Sequence, residues 1–178
     1  MSGHNKWSKI KRQKAGTDAT KSKIFSKLAR AIATASRLSN GDASSPVLRT
    51  AIDKAREYNM PSDNIERAIK KGVGVDAEQL ESITYEAYGP GGCALVIEAL
   101  TANRNKSAQE VKFILSEYGF LLAGVGSATW AFNKNKEANE WIPNVTVPIS
   151  EEDSATLGKL INELEDNDEV QDVYTNAE

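Results

Sequence analysis

The sequence is most informative first in what it lacks. It has one cysteine, Cys93, and one histidine, His4. A single thiol excludes an internal disulfide and a multi-cysteine zinc site, and Cys93 sits in the apolar run from Cys93 to Leu100, which predicts a buried strand rather than a reactive centre. A lone histidine, with no second histidine and no nucleophile paired with a base, argues against catalysis, so the protein is expected not to be an enzyme. His4 is better suited to touch phosphate or to cap the segment it belongs to. No apolar run approaches the roughly 20 residues of a membrane span, and no apolar signal core follows the cationic start. A cytoplasmic protein without membrane association is expected. The Lys- and Ser-rich, acid-poor first 40 residues also have the composition of an organelle transit peptide, which leaves a mitochondrial relative in view.

Acid is scarce at the front and abundant behind. Residues 1–74 hold 16 Lys+Arg against 6 Asp+Glu, a net of +10; residues 75–178 hold 6 against 19, a net of −13. The overall charge of −3 hides this polarity. Such asymmetry points to a polyanion on the basic side. The other reading is that the halves neutralise each other, within one molecule or between copies.

The basic part, residues 1–75, reads as a short arm and three helices. From Thr17 to Leu38, the residues Ile24, Phe25, Leu28, Ile32 and Ala35 recur at helical spacing, and Lys23, Lys27, Arg30 and Arg37 fall opposite them; Asn40-Gly41 is the stop. Ser45 and Pro46 predict a capped second helix that turns Val47, Leu48, Ala51, Ile52 and Ala55 inward and ends near Tyr58. Pro61, Ser62 and Asp63 open a third, with Ile65, Ala68 and Ile69 inward, Lys70 and Lys71 at the negative end of its dipole, and Gly72 as terminal residue. Gly72 to Gln79 forms the boundary.

Residues 76–178 change period. Thr84–Tyr88 and Cys93–Thr101 read as a hairpin through Gly89-Pro90-Gly91-Gly92, which lacks the lysine and spacing of a phosphate loop. Ser107 with Glu110 predicts a capped helix to about Tyr118, and Ser127–Phe132 a strand. Trp141–Ile149 is extended, Ser150 with Asp153 opens a helix through Leu164, and Val170–Tyr174 is a closing strand. The expected fold is α+β: a basic three-helix domain, then an acidic domain of two helices on one side of a mostly antiparallel sheet. Glu151, Glu152 and Asp153 suit a helix start and are not read as metal ligands.

Several motifs carry a family resemblance. They are Gly3-His4-Asn5-Lys6-Trp7 with Ile10, Lys11 and Lys14; Ala51-Ile52-Asp53-Lys54-Ala55; and Asn59-Met60-Pro61 continuing through Asp63-Asn64-Ile65-Glu66-Arg67-Ala68-Ile69-Lys70-Lys71-Gly72. Tyr85-Glu86, Tyr88 to Gly92, and Thr101 with Asn103-Arg104-Asn105 complete the set. Over most of residues 2–132 the chain resembles the YebC/PmpR family. The resemblance implies a probable DNA-binding transcriptional regulator, with relatives that activate translation in mitochondria and on bacterial ribosomes, and it implies no cofactor. Family members usually insert a third domain after the strand ending here near Phe132. In this chain Asn133 to Glu140 joins Phe132 directly to Trp141, so that domain is expected to be absent.

The candidate nucleic-acid contacts are His4, Lys6, Trp7, Lys9, Lys11, Arg12 and Lys14 in the arm, with Lys23, Lys27, Arg30 and Arg37 on the first helix. Lysine-rich chemistry of this kind neutralises phosphates and reads little sequence, which suits duplex DNA or ribosomal RNA. Trp7 either stacks on a base or pins the arm with Ile10. Arg104, Asn105 and Lys106, placed before the Ser107 cap, are a second candidate anion site; the other reading is a turn whose Asn side chains satisfy local backbone. The acidic domain is expected to offer a protein-contacting surface. A module whose charged halves pair between copies, without nucleic acid, is the rival.

Overall fold

Five α-helices and two antiparallel sheets make up the architecture of the computed structural model, which describes residues 18–178. The described chain forms two compact units. One is helical and ends at Leu80; the other runs from Glu81 to Glu178, apart from the hairpin tip Glu137–Asn139.

The helical unit consists of α1 (Asp18–Leu38), α2 (Pro46–Glu57) and α3 (Ser62–Val73). The inward residues are largely those the periodicity selects. Leu28, Ile32 and Ala35 pack with Leu48, Ile52, Ala55, Met60, Ile65 and Ala68, while Ile24 and Phe25 lie half-buried against them. Val47 is exposed rather than inward. Asn40 (φ 52°) and Gly41 (φ 77°) turn the chain out of α1, and the Gly41 N–H donates to Ser36 O at 2.8 Å. Pro46 opens α2 as expected, but Ser45 makes no side-chain cap. The bend before α2 is held by Asp42, whose Oδ1 accepts from the Ser44 N–H at 2.9 Å and its hydroxyl at 2.7 Å. Those two bonds hold the Asp42 carboxyl below its ordinary range.

Gly72 has a different role from the one its position suggests. It lies inside α3, which ends at Val73 and leaves through an extended Gly74 (φ −70°), so no left-handed terminal residue occurs. A Cβ on Gly72 would stand 2.2 Å from the Ala33 carbonyl oxygen and 2.8 Å from Ser36 Cβ. Beside it the Ser36 hydroxyl donates to Ile69 O at 2.8 Å. The glycine is there because α1 and α3 cross almost backbone to backbone.

In the second unit, β1 (Glu81–Tyr88) and β2 (Ala94–Thr101) pair antiparallel from Glu81↔Thr101 to Tyr88↔Ala94. The turn between them, with Gly91 at φ 67° and Gly92 at φ 75°, is the one the Gly/Pro cluster predicts. There follow α4 (Arg104–Glu117), β3 (Leu122–Ala123), the hairpin β4 (Phe132–Asn135) and β5 (Glu140–Pro143), α5 (Glu151–Asp166) and β6 (Val170–Thr175). The main sheet has the order β3-β1-β2-β6 with every neighbouring pair antiparallel.

Both faces of β2 are covered, which explains its apolar run, interrupted only at the half-buried Glu98. On one face Leu95 and Ile97 pack with Val111, Ile114 and Leu115 of α4 and Leu157, Leu160 and Leu164 of α5. On the other, Ala94 and Val96 meet Ala128, Ala131, Phe132 and Tyr174, with Trp141 at the margin. The expected strand Ser127–Phe132 is therefore not a strand. Residues Thr129–Ala131 form a single helical turn, and the third strand is Leu122–Ala123 instead. The cause is the buried side chain of Glu86, whose carboxylate accepts from the N–H groups of Gly126 and Ala128, both at 2.7 Å, and Thr129 at 2.8 Å. Those donors, committed to a side chain, are lost to a ladder.

Two helix starts separate right from wrong cap choices. Ser150 caps α5 as predicted: its Oγ accepts from the Asp153 N–H at 3.1 Å and donates to the Asp153 carboxylate at 2.8 Å. At α4 the cap is Asn103, not Ser107. Asn103 Oδ1 accepts from the Lys106 N–H at 3.1 Å, while Ser107 is buried one turn in and its hydroxyl has no partner among the described residues. Asn103 is fixed by a mutual bond with Thr101, whose Oγ1 accepts from the Asn103 N–H and donates to its carbonyl.

Candidate nucleic-acid interface

The arm residues His4, Lys6, Trp7, Lys9, Lys11, Arg12 and Lys14 lie outside the described residues. The described candidate residues begin on α1. Its apolar residues face the bundle core, which turns Lys23, Lys27, Arg30 and Arg37 to the far side. Lys23, Lys27 and Arg30 are only half exposed, and each interacts within the protein; Arg37, in the last turn, is exposed. Arg37 is also favourably placed against the negative end of the helix dipole.

Further cations emerge on the other two helices that charge counting alone did not single out as contacts. Arg49, Arg67, Lys70 and Lys71 are exposed. Arg49 donates to Ser44 O at 3.0 Å, and Arg67 to Asp63 O at 3.2 Å and to the Asn64 side chain. Arg56 is paired with Asp53 at 3.3 Å. The signal was present in the sequence: on α3, Ile65, Ala68 and Gly72 define the buried stripe, so Arg67, Lys70 and Lys71 point away from it.

The second candidate anion site is changed by the new helix start. Arg104, Asn105 and Lys106 form the first turn of α4 rather than a loop before it. The Lys106 N–H is taken by the Asn103 cap. Arg104 pairs with Glu81 at 3.1 Å, and Lys106 pairs with Glu110 at 3.4 Å and Glu169 at 3.6 Å. Glu110 first, then Glu169, raises the Lys106 ammonium above its ordinary range. Asn105 is exposed beside them. Both cations of the group thus face carboxylates of the same unit.

Carboxylates of the sheet unit are also used internally. Burial alone would raise the Glu86 carboxyl, but its backbone N–H donors outweigh that and hold it below the ordinary value. Glu98 accepts from Lys134 at 3.0 Å, from the Thr84 hydroxyl at 3.1 Å and from the Trp141 indole N–H. Lys134 lies 4.7 Å from the centre of the Trp141 ring, closing the hairpin onto the sheet. Cys93 is buried, and burial pushes its thiol up, away from reactivity. Among the described residues no cluster of three His, Cys, Asp or Glu can hold a metal, and no helix is long and apolar enough to cross a membrane.

With that geometry in hand, the fold has a solved counterpart. A crystal structure of a conserved hypothetical protein from Aquifex aeolicus superposes with a TM-score of 0.78 and 32% identity, covering 90% of this chain and 91% of that one. The sequence matches the TACO1/YebC protein N-terminal domain over residues 5–75 and the TACO1/YebC second and third domain over residues 80–139 and 135–177. The chain belongs to the TACO1/YebC family. A probable transcriptional regulatory protein of Pseudothermotoga lettingae is 37% identical over 238 residues, spanning 100% of this chain and 94% of the relative. Another, from Myxococcus xanthus, is 52% identical over 136 residues, 75% of this chain and 55% of the relative.

This chain is a short form of the family. An alignment of 238 positions that takes in all 178 residues leaves about 60 positions of the Pseudothermotoga protein without a counterpart. The second family match breaks and resumes at residues 135–139, the turn of the β4–β5 hairpin. At that place this chain makes a tight turn with Asn139 at φ 52°.

Proposed function

We propose that this protein is a nucleic-acid-binding regulator of gene expression, acting as a DNA-binding transcriptional regulator. It docks through a basic front formed by His4, Lys6, Trp7, Lys9, Lys11, Arg12 and Lys14 together with Lys23, Lys27, Arg30 and Arg37, extended by Arg49, Arg67, Lys70 and Lys71. The single observation that carries this reading is the separation of charge, +10 in residues 1–74 against −13 in residues 75–178. The front acts as the electrostatic footprint of a phosphate backbone, and the acidic unit contacts protein. The name shared by the relatives favours DNA. A lysine-dominated surface without a clear base-reading helix equally favours structured RNA, including ribosomal RNA, as the target.

Replacing Lys9, Lys11, Arg12 and Lys14 with alanine tests the reading. Gel-shift titrations against duplex DNA and structured RNA are expected to show affinity falling by orders of magnitude with the far-ultraviolet spectrum unchanged. Unaltered affinity on both would reject the front as the binding surface. Crosslinking in cells with sequencing of the bound nucleic acid then separates promoter from ribosome.

A further inference from the structure

Between Glu117 and Lys134 there is no charged residue, in a chain where 26% of residues are charged. That stretch nonetheless turns large apolar side chains to solvent: Leu121 is 73% exposed, Val125 101% and Trp130 59%. Tyr88, at the end of β1, joins them. The Trp130 indole N–H donates to the Tyr88 hydroxyl oxygen at 3.0 Å, and the Tyr88 hydroxyl donates to Ser127 O. Both rings thus have their polar atoms satisfied inside the protein and present their carbon faces outward. The backbone beneath them is held at both ends, by the three N–H groups on Glu86 and by the pairing of Leu122 and Ala123 with Ala87 and Glu86. A loop fixed in this way keeps its apolar side chains at the surface, already in place before any partner arrives.

We propose that the surface of Tyr88, Leu121, Val125 and Trp130 docks an extended segment of a partner protein that sets apolar side chains on the rings and flanks them with Lys or Arg. Charge selects this occupant. The patch itself is neutral but stands on a unit with 19 Asp+Glu against 6 Lys+Arg over residues 75–178, which repels phosphates and attracts cations. Indole and phenol faces add attraction for a cationic side chain. Aromatic anchors of this kind are where binding energy concentrates. The inference rests on the reading that the acidic unit contacts protein, and does not depend on nucleic-acid binding by the basic front.

The test is a titration of the full chain with an eight-residue peptide alternating arginine and valine, followed by NMR at the Trp130 indole N–H. A glutamate–valine peptide and oligothymidylate are run in parallel. We expect a saturable shift with the arginine peptide alone, retained when Lys9, Lys11, Arg12 and Lys14 are alanine. Trp130→Ala weakens the peptide at least roughly tenfold, as read from the other shifted amides, and Trp130→Phe restores most of the loss. The pair Glu151→Gln and Glu152→Gln, at the start of α5, leaves affinity within about twofold. Equal weakening by the glutamine pair would reduce the binding to unspecific charge attraction and overturn the proposal. So would a response of that indole to oligothymidylate, which marks a nucleic-acid surface, or line broadening with protein concentration alone, which marks a second copy as the occupant.

Discussion

The two units use polar residues in opposite ways. In the helical unit, packing falls almost wholly to apolar side chains at helical spacing, and its charges stay at or near the surface. In the sheet unit, polar side chains are drawn inward as braces. Glu86 gathers three backbone N–H groups, Glu98 receives the hairpin through Lys134 and Trp141, and the buried Asn176 accepts from Ala94 N at 2.7 Å and donates to Val145 O at 3.0 Å. The lesson is that charge counts carry different meaning in the two halves. Among the described residues the cations of the helical unit lie at or near the surface, while part of the negative excess is structural.

Breaking the helical side of this comparison is expected to have the largest effect. Gly72→Ala forces a Cβ into backbone that leaves it 2.2 Å. Equilibrium urea unfolding should show a loss of about 3 kcal/mol. A change under about 0.5 kcal/mol, the usual range for a surface substitution, would mean that α1 and α3 do not cross as closely as described.

On the sheet side, Glu86→Gln removes the charge from three hydrogen bonds at a buried site and should cost about 2 kcal/mol at neutral pH. Because the folded-state carboxyl titrates below its ordinary value of 4.5, its contribution is complete above that value and disappears as pH falls through the lowered one. Unfolding midpoints measured down the acid range should therefore decline less steeply in the glutamine variant than in the parent. Parallel profiles would remove Glu86 as the group that links loop and pH.

The two helix-cap candidates give a smaller effect with opposite expectations. Asn103→Ala should destabilise by about 1 kcal/mol. Ser107→Ala, which deletes a buried hydroxyl without a partner among the described residues, should be neutral or slightly stabilising in the same unfolding assay. If the order were reversed, α4 would start where its sequence first suggests. Smallest of all is Lys106→Ala, which should leave nucleic-acid affinity within about twofold in gel-shift titration, since its ammonium already faces Glu110 and Glu169. A larger loss would restore the α4 start as a phosphate site.

What could be read in the sequence was what local chemistry decides. Asn40-Gly41, Pro46, the Gly89–Gly92 turn and the Ser150–Asp153 cap each depend on a few neighbouring residues, and all four occur where the residue types demand them. Two of the misreadings have a long-range cause. Ser127–Phe132 alternates like a strand, but Glu86, some forty positions earlier, takes its N–H groups. Gly72 resembles a helix terminator, and only its contact with Ala33 reveals a crossing. The candidate interface divides the same way. The density of cations was legible, and so was their segregation on α1. Half-burial of Lys23, Lys27 and Arg30 was not, nor was the pairing of Arg104 with Glu81 and of Lys106 with Glu169, because those depend on tertiary neighbours.

The proposed role of the basic front as an electrostatic footprint for phosphate is tested most directly by the dependence of binding on salt. Fluorescence anisotropy of a labelled duplex, titrated with the full chain from low to near-physiological salt, gives the slope of log affinity against log salt. Engagement of Lys6, Lys9, Lys11, Arg12 and Lys14 predicts a slope of about −4 or steeper on DNA, at about −0.9 for each phosphate neutralised. A slope near zero, or no binding to duplex or structured RNA even in dilute buffer, would contradict it.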